Sequence, residues 1–340
     1  MHFVERYHGN PGVKISNRID SDESDEFLQF LQQMGVDCCY AWISPEQENY
    51  EFLARLKERT AKYDLRLFNL GSAKYAKPYS VHRGLPDRDK YIEGLNNFMR
   101  LLGKIDVPTT TITWESQHAY ATSPEGFVVR PPQDGYQITT RGGAPTRVYD
   151  DRIVDADPLS AEIKLTKDHT WANFEYFIKA AIPVAEESKV RICLHPNDPP
   201  IDSCLGVATL VETINDYRRA FAMANSEYLG MEFCCGCWLE GGTNHFGDIF
   251  SGIREFVKAG KVSIVHFRNV SGTLPYFIET FIDDGYQDMY YLMKEFVIAG
   301  YNGTMIYDHS PNMSTGLAAQ TAFAVGYMKA LRRAAQDEVR

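Results

Sequence analysis

CLHPNDPP (193–200), EFCCGCW (232–238), VHFRNV (265–270) and YDHSPNM (307–313) are the stretches that decide how this chain folds. Each follows or closes an apolar, β-branched run. Each sets a metal-competent side chain near the end of that run: His195, Cys234, His266 and Asp308. The four stand 39, 32 and 42 residues apart, roughly one strand–helix unit per interval. Side chains delivered to the ends of consecutive parallel strands converge when the sheet closes, because those ends then ring one mouth.

The same rhythm extends in both directions. Strand-like runs are expected at HFVERY (2–7), DCCYAWI (37–43), LRLFNLG (65–71), TTTITW (109–114), KVRICLH (189–195), YLGMEFC (228–234), KVSIVHF (261–267) and GTMIYD (303–308). Between them lie stretches with apolar residues at helical spacing: 22–34, 45–62, 89–103, 171–187, 205–224, 246–259 and 287–299, with 315–334 closing the series. Phe174, Phe177, Ala181 and Val184 form a stripe suited to a helix lying on a sheet. Strands alternating with helices imply a parallel sheet, and eight such units predict a (β/α)8 TIM barrel forming a single domain over 1–340. One segment breaks the rhythm. Residues 115–170, after the fourth strand, are rich in Gly, Pro, Tyr and Arg. A connection that long in a compact domain usually has a function of its own, and its place over the mouth predicts a lid, with room for a β-hairpin.

The balance of charge narrows the partners. A net charge of −10 argues against nucleic acid, whose phosphates attract basic faces. No apolar run reaches the roughly 20 residues of a membrane span. MHFVERYHGN has neither the basic nor the apolar region of a secretory signal. The seven cysteines are odd in number and partly adjacent, unlike a disulfide framework. A cytoplasmic protein acting on a small molecule is the expectation, and the broad helical faces of a barrel suit a homo-oligomer.

Residues two apart on a strand share a face. His195, Cys234, His266 and Asp308 can thus converge, with Arg268 just above them. Thiolate favours Zn2+, while imidazole and carboxylate with open positions suit Mn2+ or Fe2+ equally well. Cys234 and Cys237 also form a C-x-x-C pair, but no second pair completes a four-cysteine site.

NFEYFIKAAIPVAEESKVRICLHPNDPP (173–200), FCCGC (233–237), VHFRNV, DMYYLMKEFVIAGYNGTMIYDH (288–309) and AVGYMKAL (324–331) together resemble the mannonate dehydratase family, a xylose-isomerase-like TIM-barrel group. The resemblance is dense in the C-terminal half; RYHGN (6–10) stands for the family's Tyr-Gly-like start. It implies Mn2+-dependent removal of water from D-mannonate, giving 2-keto-3-deoxy-D-gluconate. It places the metal ligands on His195, Cys234, His266 and Asp308, an acid/base histidine on His309 and the family's arginine on Arg268. In the implied mechanism Arg268 grips the substrate carboxylate, and His309 removes the C2 proton or protonates the departing 3-hydroxyl. This chain departs from the family in having DHS (308–310) rather than DHG. It also lacks the tyrosine the family places near the position of Ala322; Tyr327, Tyr120 and Tyr136 are the candidates to replace it. The alternative, second to the dehydratase, is a metal-dependent sugar or keto-sugar isomerase or epimerase on the same site, since both reactions begin from an acidified proton beside a chelated oxygen.

Overall fold

A computed structural model describes residues 11–77, 79–114, 138–150, 164–204 and 206–339. Eight parallel strands close a barrel: β1 (Lys14–Ile19), β2 (Cys38–Ile43), β3 (Arg66–Ser72), β4 (Thr109–Thr113), β5 (Arg191–His195), β6 (Leu229–Cys234), β7 (Val262–His266) and β8 (Thr304–Ile306). The ring runs in sequence order, and β8 pairs back onto β1 through Lys14↔Thr304 and Ile15↔Met305. The expected barrel is therefore present, and seven of its strands fall where the apolar runs lie.

The first strand does not. HFVERY lies outside the described residues, and the ring begins instead at Lys14. Ile15 and Ile19 are buried on the helix side, whereas Ser16 lines the barrel interior and Arg18 is two residues further along that face. Polar residues at 14, 16 and 18 disguised this strand as a loop.

Helices cover the outside: α1 (Asp25–Gln33), α2 (Tyr50–Ala61), α3 (Arg88–Lys104), α4 (Lys167–Ser188), α5 (Ile214–Ala224), α6 (Ile249–Lys258), α7 (Met289–Ile298) and α8 (Leu317–Val339). The stripe read on α4 faces the core, with Phe174, Phe177 and Ala181 fully buried. Thr166 and Thr213 begin α4 and α5 by accepting the third backbone N–H, which satisfies a donor the helix cannot. The expected helix over 205–224 starts only at Ile214. Ser203–Cys204 and Val207–Ala208 pair antiparallel before it, around Gly206 with its positive φ.

Of the insertion, 138–150 and 164–170 are described. Thr139 and Pro145 form an antiparallel bridge, and Val148–Asp150 pairs antiparallel with Tyr276–Ile278 in the loop after β7. Lys167 already belongs to α4. The expected lid over 115–137 and 151–163 lies outside the described residues.

Candidate metal centre and active site

The barrel interior is layered. Cys38, Phe68, Cys193 and Ile264 form an apolar layer. Burial raises the Cys38 and Cys193 thiols to about 12, so both stay protonated and inert. Nearer the strand C-termini the side chains become polar. Ligand atoms of Cys234, His266 and Asp308 lie within 4.8 Å of one another, and those of His195, Cys234 and Cys237 form an overlapping group. The structure thus brings three of the expected ligands together, and His195 joins them through Cys234. The His195 and His266 ring centroids are 5.1 Å apart.

His195, Cys234 and Asp308 are held in forms that suit a cation. His195 Nδ1 lies 2.8 Å from the carbonyl of Pro196, which only accepts, so Nδ1 carries the hydrogen and Nε2 keeps its lone pair. Cys234 ends β6 and caps the following helix, Cys235–His245, where its sulfur accepts from the Cys237 N–H at 3.4 Å. Burial alone would raise this thiol. Cys237, the Arg268 guanidinium, His195 and His266 outweigh burial and hold it well below the usual thiol range. A thiolate at a helix N-terminus is a ligand in waiting. The C-x-x-C spacing serves this cap, and Cys237 itself is pushed well above its usual range, first by burial.

Asp308 sits just past β8 at φ 59°, a left-handed conformation that costs energy in a non-glycine residue. Burial opposes its ionisation, but His266, His309 and Arg268 hold its carboxyl well below the usual range. His266 Nδ1 is 3.2 Å from Asp308 Oδ2, and its Nε2 abuts Glu232 Oε1. Neither contact has hydrogen-bond geometry: both His266 nitrogens and Glu232 Oε2 are buried with no hydrogen-bond partner among the described residues. Against burial, Asp308, Glu232 and Cys234 draw His266 well above its ordinary range. Thiolate and carboxylates thus crowd a histidine toward its cationic form, and a bound metal ion would satisfy the same excess of negative charge. The donor set and its orphaned atoms fit a divalent ion.

Arg268 lies where the sequence suggests, but its guanidinium is buried and engaged. Nε reaches Asp308 at 3.1 Å, Nη1 Glu240 at 2.5 Å, and Nη2 Asp198 at 2.9 Å and the Cys237 sulfur at 3.7 Å. Asp198, Cys237 and Glu240 form a third metal-competent group, and this cation already occupies it. Glu240 is pulled two ways: Arg268 favours its charge, while complete burial, Asp198 and Cys234 push its carboxyl well above the usual range. Burial dominates, so the cage carries less negative charge than its count of acids suggests. Gly236 makes room for the guanidinium, because a Cβ there would stand 2.3 Å from Arg268 Cζ.

His309 is the most open of these groups. Its Nδ1 is 2.7 Å from Glu279 Oε1 and its Nε2 3.3 Å from Asp308 Oδ2. Glu279 is buried; burial raises its carboxyl, and His309, Arg268 and Arg147 reverse that to hold it below the usual range. An ionised Glu279 accepts from Nδ1–H, and Nε2 is left on the side of Asp308.

Nearby residues take structural places. Asp198 binds Arg268, while Asn197 donates to the Pro199 carbonyl at 2.6 Å. Trp114 is core, packed on His82, Phe174 and Phe177. Tyr327 stacks on Phe323 on α8 and feels Asp283 and Asp288 rather than the mouth. Tyr120 and Tyr136 lie outside the described residues. Glu279, Glu240, Arg18 and Tyr40 went unread, because the loop, helix and strands they come from show no ligand-like spacing.

A closed parallel barrel that gathers cysteine, histidine and aspartate side chains at its C-terminal mouth has the form of a TIM-barrel enzyme. Residues 152–336, more than half of the chain, match the family model of D-mannonate dehydratase (UxuA), and the chain belongs to that family of hydro-lyases. Mannonate dehydratase of Thermotoga maritima is 26% identical over 300 residues, covering 76% of this chain and 77% of that one. Mannonate dehydratase of Geobacillus thermodenitrificans is 28% identical over 215 residues, 56% of each chain. The crystal structure of mannonate dehydratase from Streptococcus suis serotype 2 has the same fold. It matches with a TM-score of 0.81 at 21% identity, over 97% of this chain and 95% of that one. Among the described residues, no helix is long and apolar enough to cross a membrane.

Proposed function

We propose that this sugar-acid dehydratase acts on D-mannonate or a closely related hexonate, with a divalent ion, Mn2+ foremost, held by His195, Cys234, His266 and Asp308. The observation that carries this reading is the meeting of Cys234, His266 and Asp308 around buried nitrogens and a carboxylate oxygen that lack hydrogen bonds. Such an ion supplies a Lewis acid that makes the carbon beside the substrate carboxylate more acidic.

The chain's own residues do the rest. His309, fixed by Glu279, presents Nε2 to exchange protons at C2 or at the 3-hydroxyl. In the net reaction the C2–H and C3–O bonds break, and the hydroxyl leaves with a proton as water. The enol left behind takes a proton at C3 and becomes the 2-ketone. Arg268 acts by holding Asp308 in its strained conformation, which replaces the carboxylate-gripping role expected for it. The insertion, joined to the loop that carries Glu279, is proposed to cover the mouth. Six described cysteines, all buried and free, suit a reducing cytoplasm.

The test is mass spectrometry of products from Mn2+-loaded protein given D-mannonate, other hexonates, pentonates and keto sugars. Loss of one water from D-mannonate is expected. Products of unchanged mass, as an isomerase or epimerase would give, contradict the reading.

A further inference from the structure

The proposed substrate is an anion entering a mouth lined by anions. Cys234, Glu232, Asp308 and Glu279 stand there, and the deepest cation, Arg268, is fully engaged by Asp308, Glu240 and Asp198. Arg147, on the insertion side, faces Glu279. A hexonate carboxylate needs a positive group that no protein acid already holds.

β1 supplies one. Ser16 lines the barrel interior, and Arg18 is the next residue on that face toward the mouth. Its parallel neighbour in register is Tyr40 on β2, which lines the same interior with Glu232, Ile264 and Ile306. Arg18 is exposed although it sits in a barrel strand, and its guanidinium makes no ion pair or hydrogen bond among the described residues. Its charge acts on Tyr40 and on Tyr307, which precedes Asp308, so it lies over the mouth rather than on the outer face. Tyr40 in turn feels His266, Asp308 and Glu232, and burial, the largest influence, keeps its phenol protonated and able to donate.

We propose that Arg18, with the Tyr40 hydroxyl beside it, is the subsite that binds the substrate carboxylate and selects aldonates over neutral sugars. This rests on the proposed hexonate reading and gives the selection to strand β1 rather than to Arg268. A planar guanidinium can meet a carboxylate with two parallel N–H donors, which a neutral polyol cannot match. Because Arg18 is exposed and its guanidinium has no hydrogen bond or ion pair among the described residues, replacing it leaves the described barrel packing and the candidate metal ligands in place.

Calorimetric titration of D-mannonate and of the uncharged alditol D-mannitol into the Mn2+-loaded full chain tests this, using wild type, Arg18→Gln, Arg18→Lys and Tyr40→Phe, with metal content measured for each. Wild type is expected to prefer the hexonate. Arg18→Gln is expected to lose that preference and bind D-mannonate about 10- to 100-fold more weakly, the range for a charge-assisted hydrogen bond. Arg18→Lys should fall between, Tyr40→Phe should show a smaller loss, and metal content should not change. If Arg18→Gln keeps the wild-type preference, the inference is overturned while the proposed function stands. If wild type itself shows no preference for the acid, the proposed function fails and the inference with it.

Discussion

Cys234 ends a strand with its backbone and starts a helix with its sulfur, and the second role favours the thiolate form against burial. The gathering of His195, Cys234, His266 and Asp308 was legible because each closes an apolar run, and strand ends in a closed barrel share one mouth. What Arg268 touches was not legible. Spacing put it above the quartet, but its acids arrive from 198 and 240, positions no strand periodicity links to 268. Cys234→Ser, with a harder and far less acidic oxygen, should weaken metal binding at least about tenfold by elemental analysis after dialysis. Wild-type occupancy in that variant would remove Cys234 from the ligand set. His309→Ala should keep the metal and lower kcat by about 100- to 10,000-fold, the span of general acid–base catalysis. Gly236→Ala should displace Arg268 and cost about 1–3 kcal/mol on denaturant unfolding, as overpacking does. An unchanged midpoint would mean that the guanidinium has slack that its contacts do not suggest.

At the scale of elements, seven strands could be read and one could not, for a physical reason. A barrel strand needs apolar residues only on its helix-facing side; β1 carries Lys14, Ser16 and Arg18 on the other, and the eye passes over it. The hairpin before α5 was hidden similarly, because apolar residues at 207, 210 and 211 mimic a helical stripe. The barrel floor yields a pH prediction. Lys261 donates to the Ser226 and Leu229 carbonyls at 2.9 and 3.2 Å, and burial first, then Arg191, lowers its amine from 10.5 to about 8. Below about 8 both folded and unfolded chains hold the proton and the folded one bears the full penalty of a buried charge. Between about 8 and 10.5 the unfolded chain still holds it and the folded chain has released it, so stability rises with pH. Wild type should therefore gain stability relative to Lys261→Met across that window, measured by urea unfolding at stepped pH. Parallel curves for the two proteins would contradict it.

Over the whole molecule, the long insertion is tied to the chemistry by a short path. Val148–Asp150 pairs with Tyr276–Ile278, and Tyr149 stacks on Phe277 with centroids 5.6 Å apart. Arg147 O accepts from Glu279 N at 3.0 Å, and Thr146 Oγ1 donates to Glu279 O at 2.7 Å. Glu279 then holds His309. Composition showed that the segment is irregular, but its pairing partner lies more than a hundred residues away and leaves no trace in local sequence. Tyr149→Ala should loosen this brace and lower kcat several-fold with metal content intact. Full activity in the variant would show that Glu279 stands without it. The central claim is that four side chains from four consecutive strands hold one ion at the barrel mouth. Anomalous diffraction at the manganese edge, from crystals soaked in Mn2+, tests it most directly. A single strong peak is expected at coordination distance from His195 Nε2, Cys234 Sγ, a His266 nitrogen and an Asp308 carboxylate oxygen. A peak elsewhere, or none at this mouth at saturating Mn2+, would contradict it.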